Sequence, residues 1–264
     1  MLSTITYEDA ARAALDLDLA REVQAGLLPR ALPHLATLSF AGVCTPAGPV
    51  GGDYYDFLDL GRGYLGIAVG DVSGKGFAAA LLMAGLQAHM RSQCALAVED
   101  LDCLLRPVNR LLCRNNLPGK YATLFFAEYR EPDGRLRYVN CGHPPALVRR
   151  ADGSIERLPA TATVLGLEED WDCAIEETIL HPGDTLVACT DGVTEAANGD
   201  GEEFGDRRVG QFLRAWSAGE PADLAESLIA AARGFAAGTL RDDATVVAAR
   251  CLSGTVRGGN FLAM

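Results

Sequence analysis

The stretch that most constrains the fold runs from Gly51 to Gly76 and reads GGDYYDFLDLGRGYLGIAVGDVSGKG. Its apolar part, Leu65 to Val69, lies between glycine-containing turns, which predicts a buried strand. Asp53 and Asp56 lie at one end of the stretch and Asp71 lies at the other, beside glycines that permit tight turns. A single Gly-Asp pair more often caps a turn. A metal site is therefore indicated only if further carboxylates of the same kind occur.

Carboxylates of this kind recur twice further along the chain. Asp191 follows an apolar run that ends at Cys189-Thr190, and Asp242-Asp243 precede another that begins at Ala244. Strand ends that meet at one edge of a sandwich would bring these groups together, where they repel one another unless cations are present. Because Mg²⁺ and Mn²⁺ prefer oxygen ligands, the pattern predicts a divalent-metal site.

The order of the elements predicts one α+β domain. Turn signals such as Pro132-Asp133-Gly134 favour hairpins, and therefore mainly antiparallel sheets. The runs 174–180 and 185–190 are expected to pair with each other around His181-Pro182-Gly183-Asp184. Strands are predicted at 38–45, 65–69, 121–130, 136–140, 146–150, 174–180, 185–190 and 244–251, and helices at 6–28, 77–91, 100–115, 206–215 and 221–236. Without a steady βαβ alternation, a layered sandwich is favoured.

The first predicted helix has one apolar face, formed by Leu15, Leu19, Val23 and Leu27. That face packs either on its own domain or on a second subunit or an upstream module, and the sequence leaves both readings open. The predicted division of the chain is an N-terminal helix at 1–28 (a candidate for regulation or dimerisation), a main domain at 29–252 and a loose glycine-rich tail at 253–264.

Charge and composition exclude several classes of protein. The net charge of −12 argues against a nucleic-acid-binding groove. The eight cysteines form no CxxC pair, which favours reduced, buried thiols over a zinc or disulfide framework. The first residues do not resemble a signal peptide, and the longest apolar run, Phe77 to Leu86, is too short to cross a bilayer. We therefore expect a soluble cytoplasmic protein with no nucleic-acid or membrane partner.

An ordered set of motifs identifies a known family. The motifs are Gln24-Ala-Gly-Leu-Leu-Pro29, Pro46-Ala47, Val50-Gly-Gly-Asp-Tyr-Tyr-Asp-Phe57, Gly70-Asp-Val-Ser-Gly-Lys-Gly76, Ala79-Ala-Leu81, Thr123, Asn140-Cys-Gly-His-Pro-Pro145, Pro182-Gly-Asp184, Thr190-Asp-Gly-Val-Thr-Glu-Ala196, Phe204-Gly205 and Asp242-Asp-Ala-Thr-Val246. The chain resembles the catalytic domain of bacterial PPM-type serine/threonine phosphatases of the SpoIIE/RsbU kind, over about Leu19 to Arg250. The resemblance implies a four-layer α-β-β-α sandwich of two antiparallel sheets flanked by helices.

The resemblance also implies a site that binds two Mn²⁺ or Mg²⁺ ions. Transferred by motif, the catalytic ligands are Asp53, Asp71, Asp191 and Asp242, with the Val72 carbonyl as a further ligand and with Asp56, Gly192 and Asp243 beside them or as alternative ligands. Asp71 would bridge both ions, Asp53 would act on one, directly or through water, and Asp191 with Asp242 would hold the other. A water activated between the ions would attack a phosphoserine or phosphothreonine.

Partners are likewise implied by the resemblance. The expected substrate is a phosphorylated anti-anti-sigma protein with a STAS-type fold, in a partner-switching pathway. The N-terminal helix is expected to communicate with Gly76 to Arg91, with a homodimer as one arrangement. The eukaryotic branch of the superfamily has a phosphate-binding Arg and a nearby His with no match here. Ser73 and Lys75 follow Asp71 instead, so the phosphate-binding group and the general acid stay open.

Three alternative interpretations fit less well. A Walker loop around Lys75 is excluded because Val69 and Gly76 replace the required Gly and Ser/Thr. A diguanylate cyclase is disfavoured because Tyr54 follows Gly-Gly-Asp, and because such an enzyme would not explain the later Asp motifs. A non-catalytic phosphoprotein-binding module would not need the full carboxylate set. His143 is predicted to be a core or turn histidine rather than a ligand, since zinc would require further nitrogen or sulfur ligands.

Overall fold

The computed structural model describes residues 7–29, 32–96, 100–115, 118–131, 133–217 and 219–253. These residues form ten strands and six helices. The strands are β1 (Leu38–Thr45), β2 (Asp53–Gly61), β3 (Tyr64–Val72), β4 (Ala122–Arg130), β5 (Arg135–Cys141), β6 (Ala146–Arg149), β7 (Ile155–Leu158), β8 (Glu176–Ile179), β9 (Thr185–Cys189) and β10 (Ala244–Cys251). The helices are α1 (Tyr7–Leu27), α2 (Gly76–Cys94), α3 (Leu101–Asn115), α4 (Asp191–Thr194), α5 (Gly205–Ala215) and α6 (Pro221–Phe235).

The strands form two antiparallel sheets of five strands each. Sheet A has the order β1-β10-β9-β6-β7, and sheet B has the order β2-β3-β4-β5-β8. Alternating residues of the two sheets face each other and bury one core, which includes Phe57, Ile67, Phe125 and Val247. This burial of apolar surface stabilises the stacking of the sheets.

Helices cover the outer face of each sheet. On sheet B, α2 and α3 bury Met83, Leu86 and Leu105 against the strands. On sheet A, α5 and α6 bury Leu213 and Leu228. The predicted α+β architecture, a four-layer α-β-β-α sandwich of two antiparallel sheets, is therefore confirmed.

One predicted strand pairing is wrong. The strands β8 and β9 do not pair with each other: β8 pairs with β5 in sheet B, whereas β9 lies between β10 and β6 in sheet A. The turn His181–Asp184 therefore carries the chain from one sheet to the other. Asp184 holds this turn by accepting hydrogen bonds from the His181 backbone N–H (3.0 Å) and from Arg150 (2.7 Å). A four-residue turn suits a hairpin as well as a crossing, so local sequence could not distinguish them.

The N-terminal helix α1 leaves most of its apolar face uncovered. Leu15, Leu19 and Val23 are 60%, 51% and 67% exposed. These three residues therefore do not pack against the rest of the domain. The end of the helix does contact α2, since the Leu27 carbonyl accepts hydrogen bonds from Gln87 (2.9 Å) and Arg91 (3.0 Å). None of the described helices is both long and apolar enough to span a bilayer. The predicted loose tail lies, after Ser253, outside the described residues.

Candidate metal centre

One end of the sandwich collects carboxylates from both sheets. In sheet B, Asp53 begins β2 and lies directly opposite Asp71, near the end of β3. In sheet A, β9 ends just before Asp191 and β10 begins just after Asp242 and Asp243. Antiparallel pairing of β9 with β10 brings these two chain ends to the same edge. The four predicted catalytic residues therefore converge, two from each sheet.

Two threonines join the sheets through Asp53, which is only 4% exposed. Thr190 Oγ1 and Thr245 Oγ1, both from sheet A, donate hydrogen bonds to Asp53 Oδ2 at 2.8 Å and 2.6 Å. The Thr245 backbone N–H in turn donates to Thr190 Oγ1 (3.0 Å). A buried carboxylate needs such partners to offset its desolvation. These bonds therefore fix the position of Asp53 relative to Asp191 and Asp242.

The carboxylates are close enough to perturb one another. Burial, followed by the charges of Asp191, Asp242 and Asp243, raises the pKa of Asp71 to about 7. Burial and then Asp242 raise the pKa of Asp191, and burial and then Asp71 raise that of Asp53 well above its usual range. Burial and like charges both disfavour the ionised form. Cations bound at this end would relieve that cost.

Lys75 is the cation that lies nearest to these carboxylates in the contacts of the described residues. Its Nζ is 2.6 Å from Asp242 Oδ2 and donates a hydrogen bond to the Arg241 carbonyl (2.8 Å). The hydrogen bond to Asp242 raises the pKa of the Lys75 ammonium group. Lys75 therefore stays charged and offsets part of the negative charge of the cluster.

Asp243 orients the turn that precedes Asp53. Its Oδ1 accepts the Ala47 backbone N–H and its Oδ2 accepts the Gly52 backbone N–H, both at 2.8 Å. The group is 8% exposed. Asp243 thus lies beside the predicted ligands, and both of its oxygens hold the backbone that positions Asp53.

Gly192 permits a close approach of backbone to backbone. A methyl group added to its Cα would collide with the Asp243 carbonyl oxygen, which no side-chain movement could relieve. Glycine at this position therefore lets α4, and with it Asp191, lie against the Asp242-Asp243 turn. In sheet B, the carbonyl oxygen of Val72, the last residue of β3, lies beside Gly52.

The prediction for Asp56 is wrong. Successive residues of a strand point to opposite faces, and Asp56 lies three residues after Asp53, on the face of sheet B that the helices cover. There it pairs with Arg91 of α2 (2.7 Å) and accepts a hydrogen bond from Tyr54 (3.2 Å). Asp56 is only 1% exposed. It therefore anchors α2 to the sheet and cannot act as a ligand beside Asp53.

Sequence reasoning missed several residues that hold the site together. Gln24 of α1 donates to the Gly51 carbonyl (2.8 Å) and accepts the Gly51 N–H (2.9 Å), so it clamps the turn before Asp53. His143 is buried, as predicted for a core histidine, and its Nδ1 lies 2.8 Å from Thr123 Oγ1. Burial lowers the pKa of His143 to about 3, so its ring is neutral. The roles of Thr190 and Thr245 could have been suspected from the sequence, because each is a polar residue in an otherwise apolar stretch and lies close to a predicted ligand.

The donor set fits hard divalent cations. Its side-chain donors are carboxylate oxygens, which suit Mg²⁺ or Mn²⁺, and lack the thiolate and imidazole ligands typical of zinc. Within the described residues, no three His, Cys, Asp or Glu side chains are grouped as a ready-made shell around a single ion. The carboxylates instead line a shared edge, with Lys75 paired to Asp242. Ion binding therefore requires small shifts of these side chains toward a common centre.

A family model and several known proteins match this chain. Residues 61–252 match the family described as Stage II sporulation protein E (SpoIIE). Protein IcfG of Synechocystis is 31% identical over 228 residues, which cover 76% of this chain and 36% of IcfG. Phosphoserine phosphatase RsbU of Bacillus subtilis is 30% identical over 187 residues, which cover 70% of this chain and 55% of RsbU. The chain thus spans about a third to about half of the length of these relatives.

The fold has solved counterparts. The SiaA-PP2C domain of Pseudomonas aeruginosa superposes with a TM-score of 0.79, and the match covers 91% of this chain and 98% of that domain. The sequence identity is 23%, so this similarity concerns the fold alone.

Proposed function

The chain belongs to the SpoIIE family, and from this premise we propose that it is a metal-dependent phosphatase that hydrolyses phosphoserine or phosphothreonine on a protein. The observation that carries the proposal is the convergence of Asp53, Asp71, Asp191 and Asp242 from two sheets onto one edge. The phosphatase domain is proposed to be residues 29–252, acting in the cytoplasm.

We propose that the chain's own oxygens hold two Mn²⁺ or Mg²⁺ ions. Asp71 would contact both ions and the Val72 carbonyl would add a ligand, while Asp53 serves one ion and Asp191 with Asp242 the other. When bound, such ions supply an acidified water as nucleophile and positive charge for the phosphoryl oxygens. Thr190 and Thr245 keep Asp53 in place.

The proposed substrate is a phosphorylated STAS-type anti-anti-sigma protein in a partner-switching pathway. Support comes from the family and from the relative named phosphoserine phosphatase RsbU. The test is release of phosphate from phosphorylated STAS proteins of the same genome, with and without Mn²⁺. Mn²⁺-dependent release from one of them is expected. Release that is independent of metal, or cyclic-nucleotide formation from GTP without phosphatase activity, would overturn the proposal.

We further propose that α1 pairs two copies of the chain. Leu15, Leu19 and Val23 form an exposed apolar row, and Gln24 and Leu27 on the same helix contact the Gly51 turn and α2. Pairing through α1 would therefore affect the turn before Asp53.

A charged residue on the apolar row of α1 should disrupt this pairing. Leu19→Asp is expected to shift the protein from dimer to monomer in sedimentation and to lower phosphatase activity, because a carboxylate in an apolar interface is costly. Ala14→Asp, which adds the same carboxylate at an exposed position on the other side of α1 from Leu19, is the control and should leave both unchanged. A Leu19→Asp protein with the oligomeric state and activity of the wild type would contradict the proposal.

A further inference from the structure

The chain contains 21 arginines but only two lysines, Lys75 and Lys120. Both contact the turn that follows Asp71. Lys75 Nζ contacts Asp242 Oδ2 (2.6 Å) and the Arg241 carbonyl (2.8 Å), and Lys120 Nζ donates to the Ser73 carbonyl (3.2 Å). Two lysines at one turn, in a chain that uses arginine almost everywhere else, suggest that a compact ammonium group is required there.

We propose that Lys75 and Lys120 bind the phosphate group of the substrate, an assignment that rests on the proposed phosphatase function. It supplies the phosphate-binding group that motif comparison left open, since no arginine matches the one used in the eukaryotic branch.

Charge balance explains why the site needs these cations. Five carboxylates lie at this edge, from Asp53, Asp71, Asp191, Asp242 and Asp243. Two divalent ions would leave them with one net negative charge, in a chain whose own net charge is −12. A phosphate dianion would be repelled by such a field. The ammonium groups of Lys75 and Lys120, at the turn that follows Asp71, would make the site net positive and would therefore attract the phosphate.

Geometry explains why lysine rather than arginine occupies position 120. A methyl group added at Gly74 would lie 2.5 Å from Lys120 Nζ, so the ammonium lies directly over the Gly74 backbone. The segment before β4 is fixed against the same turn, because Ser73 N–H donates to the Tyr121 carbonyl (2.9 Å) and Tyr121 N–H donates to Ser73 Oγ (3.0 Å). A planar guanidinium is larger than an ammonium and binds with fixed directions. We therefore expect an ammonium to suit this close approach to Gly74 better than a guanidinium.

Lys75 can exchange its partner. Its side chain is 64% exposed, and it precedes the first turn of α2 between Gly74 and Gly76. An exposed ion pair of this kind contributes little to stability. If Asp242 held a metal ion, Lys75 would be released from it, and its flexible stem would let the ammonium reach a phosphate beside the turn that follows Asp71.

The test is binding of inorganic phosphate to the full chain, by equilibrium dialysis with radiolabelled phosphate at saturating Mn²⁺. Lys75→Met and Lys120→Met are each expected to weaken binding roughly tenfold to a hundredfold, as is typical for loss of a charged hydrogen bond. Calorimetry should show that Mn²⁺ binds Lys75→Met at least as tightly as the wild type, because a competing cation has been removed.

Arg62→Met is the matched control. Arg62 is exposed at the tip of the β2–β3 hairpin, at the opposite end of the strands from Asp53 and Asp71. Its removal changes the total charge by the same amount and should leave phosphate affinity unchanged. The assignment is overturned if the Lys75→Met/Lys120→Met double variant binds phosphate like the wild type, if Arg62→Met loses as much affinity, or if Mn²⁺ affinity falls in parallel. Wild-type protein that binds phosphate but hydrolyses no phosphoester would overturn the proposed function and leave the lysine assignment standing.

Discussion

Asp71→Asn is expected to abolish Mn²⁺-dependent hydrolysis of p-nitrophenyl phosphate, with a loss of kcat of about a thousandfold or more. Asp71 lies at the centre of the cluster, where Asp191, Asp242 and Asp243 all act on its charge. An amide in its place removes the negative charge on which a bridging ligand depends. Asp191→Asn should have a similar effect, because Asp191 follows β9 of the other sheet and is close enough to Asp242 for that charge to raise its pKa. The measurement is steady-state kinetics across a range of Mn²⁺ concentrations.

Asp56→Asn is the matched control for both substitutions. It changes an aspartate of the same Gly-Gly-Asp-Tyr-Tyr-Asp motif, but on the opposite face of β2, where Asp56 pairs with Arg91. We expect a lower melting temperature with little change in kcat. Undiminished turnover in both Asp71→Asn and Asp191→Asn would contradict the assignment of the site.

Asp243→Asn is expected to lower both stability and metal affinity. Both Asp243 oxygens accept backbone N–H groups, from Ala47 and Gly52. An amide can accept only one of these bonds and turns its own NH₂ donor toward the other, which should cost about 2–4 kcal/mol in the free energy of unfolding. Because the Gly52 backbone leads directly into Asp53, Mn²⁺ affinity should fall roughly tenfold to a hundredfold. Denaturant unfolding and Mn²⁺ calorimetry measure the two effects.

Asp184→Asn separates the two effects of the Asp243 substitution. Asp184 is also buried and also accepts backbone hydrogen bonds, from His181 and Ala151, but it lies at the opposite end of β9 from Asp191. It should lose comparable stability and keep the Mn²⁺ affinity of the wild type. Equal losses of Mn²⁺ affinity in both variants would show that Asp243 acts only through global stability.

The convergence of carboxylates could be predicted from sequence because Asp71, Asp191 and Asp242 each lie next to an apolar strand. Asp191 lies two residues after the end of β9 and Asp242 lies two residues before the start of β10, and both of these buried strands are correctly predicted. What sequence could not supply is which face of a strand a residue occupies. The strand β2 was not predicted, because the run after Asp53 mixes aspartates with aromatic residues, and so the outward-facing position of Asp56 was missed.

Contacts between segments that are distant in the sequence could not be predicted either. Gln24 and Gly51 are 27 residues apart, and their two hydrogen bonds depend on how α1 docks. Thr245 and Asp53 are 192 residues apart and meet only because the two sheets stack. No local pattern encodes such pairs. Likewise, the crossing at His181–Asp184 depends on which sheet has a free edge for β8.

The most direct test of the central claim is the number of Mn²⁺ ions that the full chain binds, measured by calorimetry alongside p-nitrophenyl phosphate hydrolysis in the same solutions. If the carboxylate edge formed by Asp53, Asp71, Asp191 and Asp242 is a two-metal phosphatase site, hydrolysis should rise as the second ion binds, and Asp71→Asn should bind fewer ions and hydrolyse no substrate. Hydrolysis that persists in chelator, or two ions bound equally well by Asp71→Asn, would contradict it.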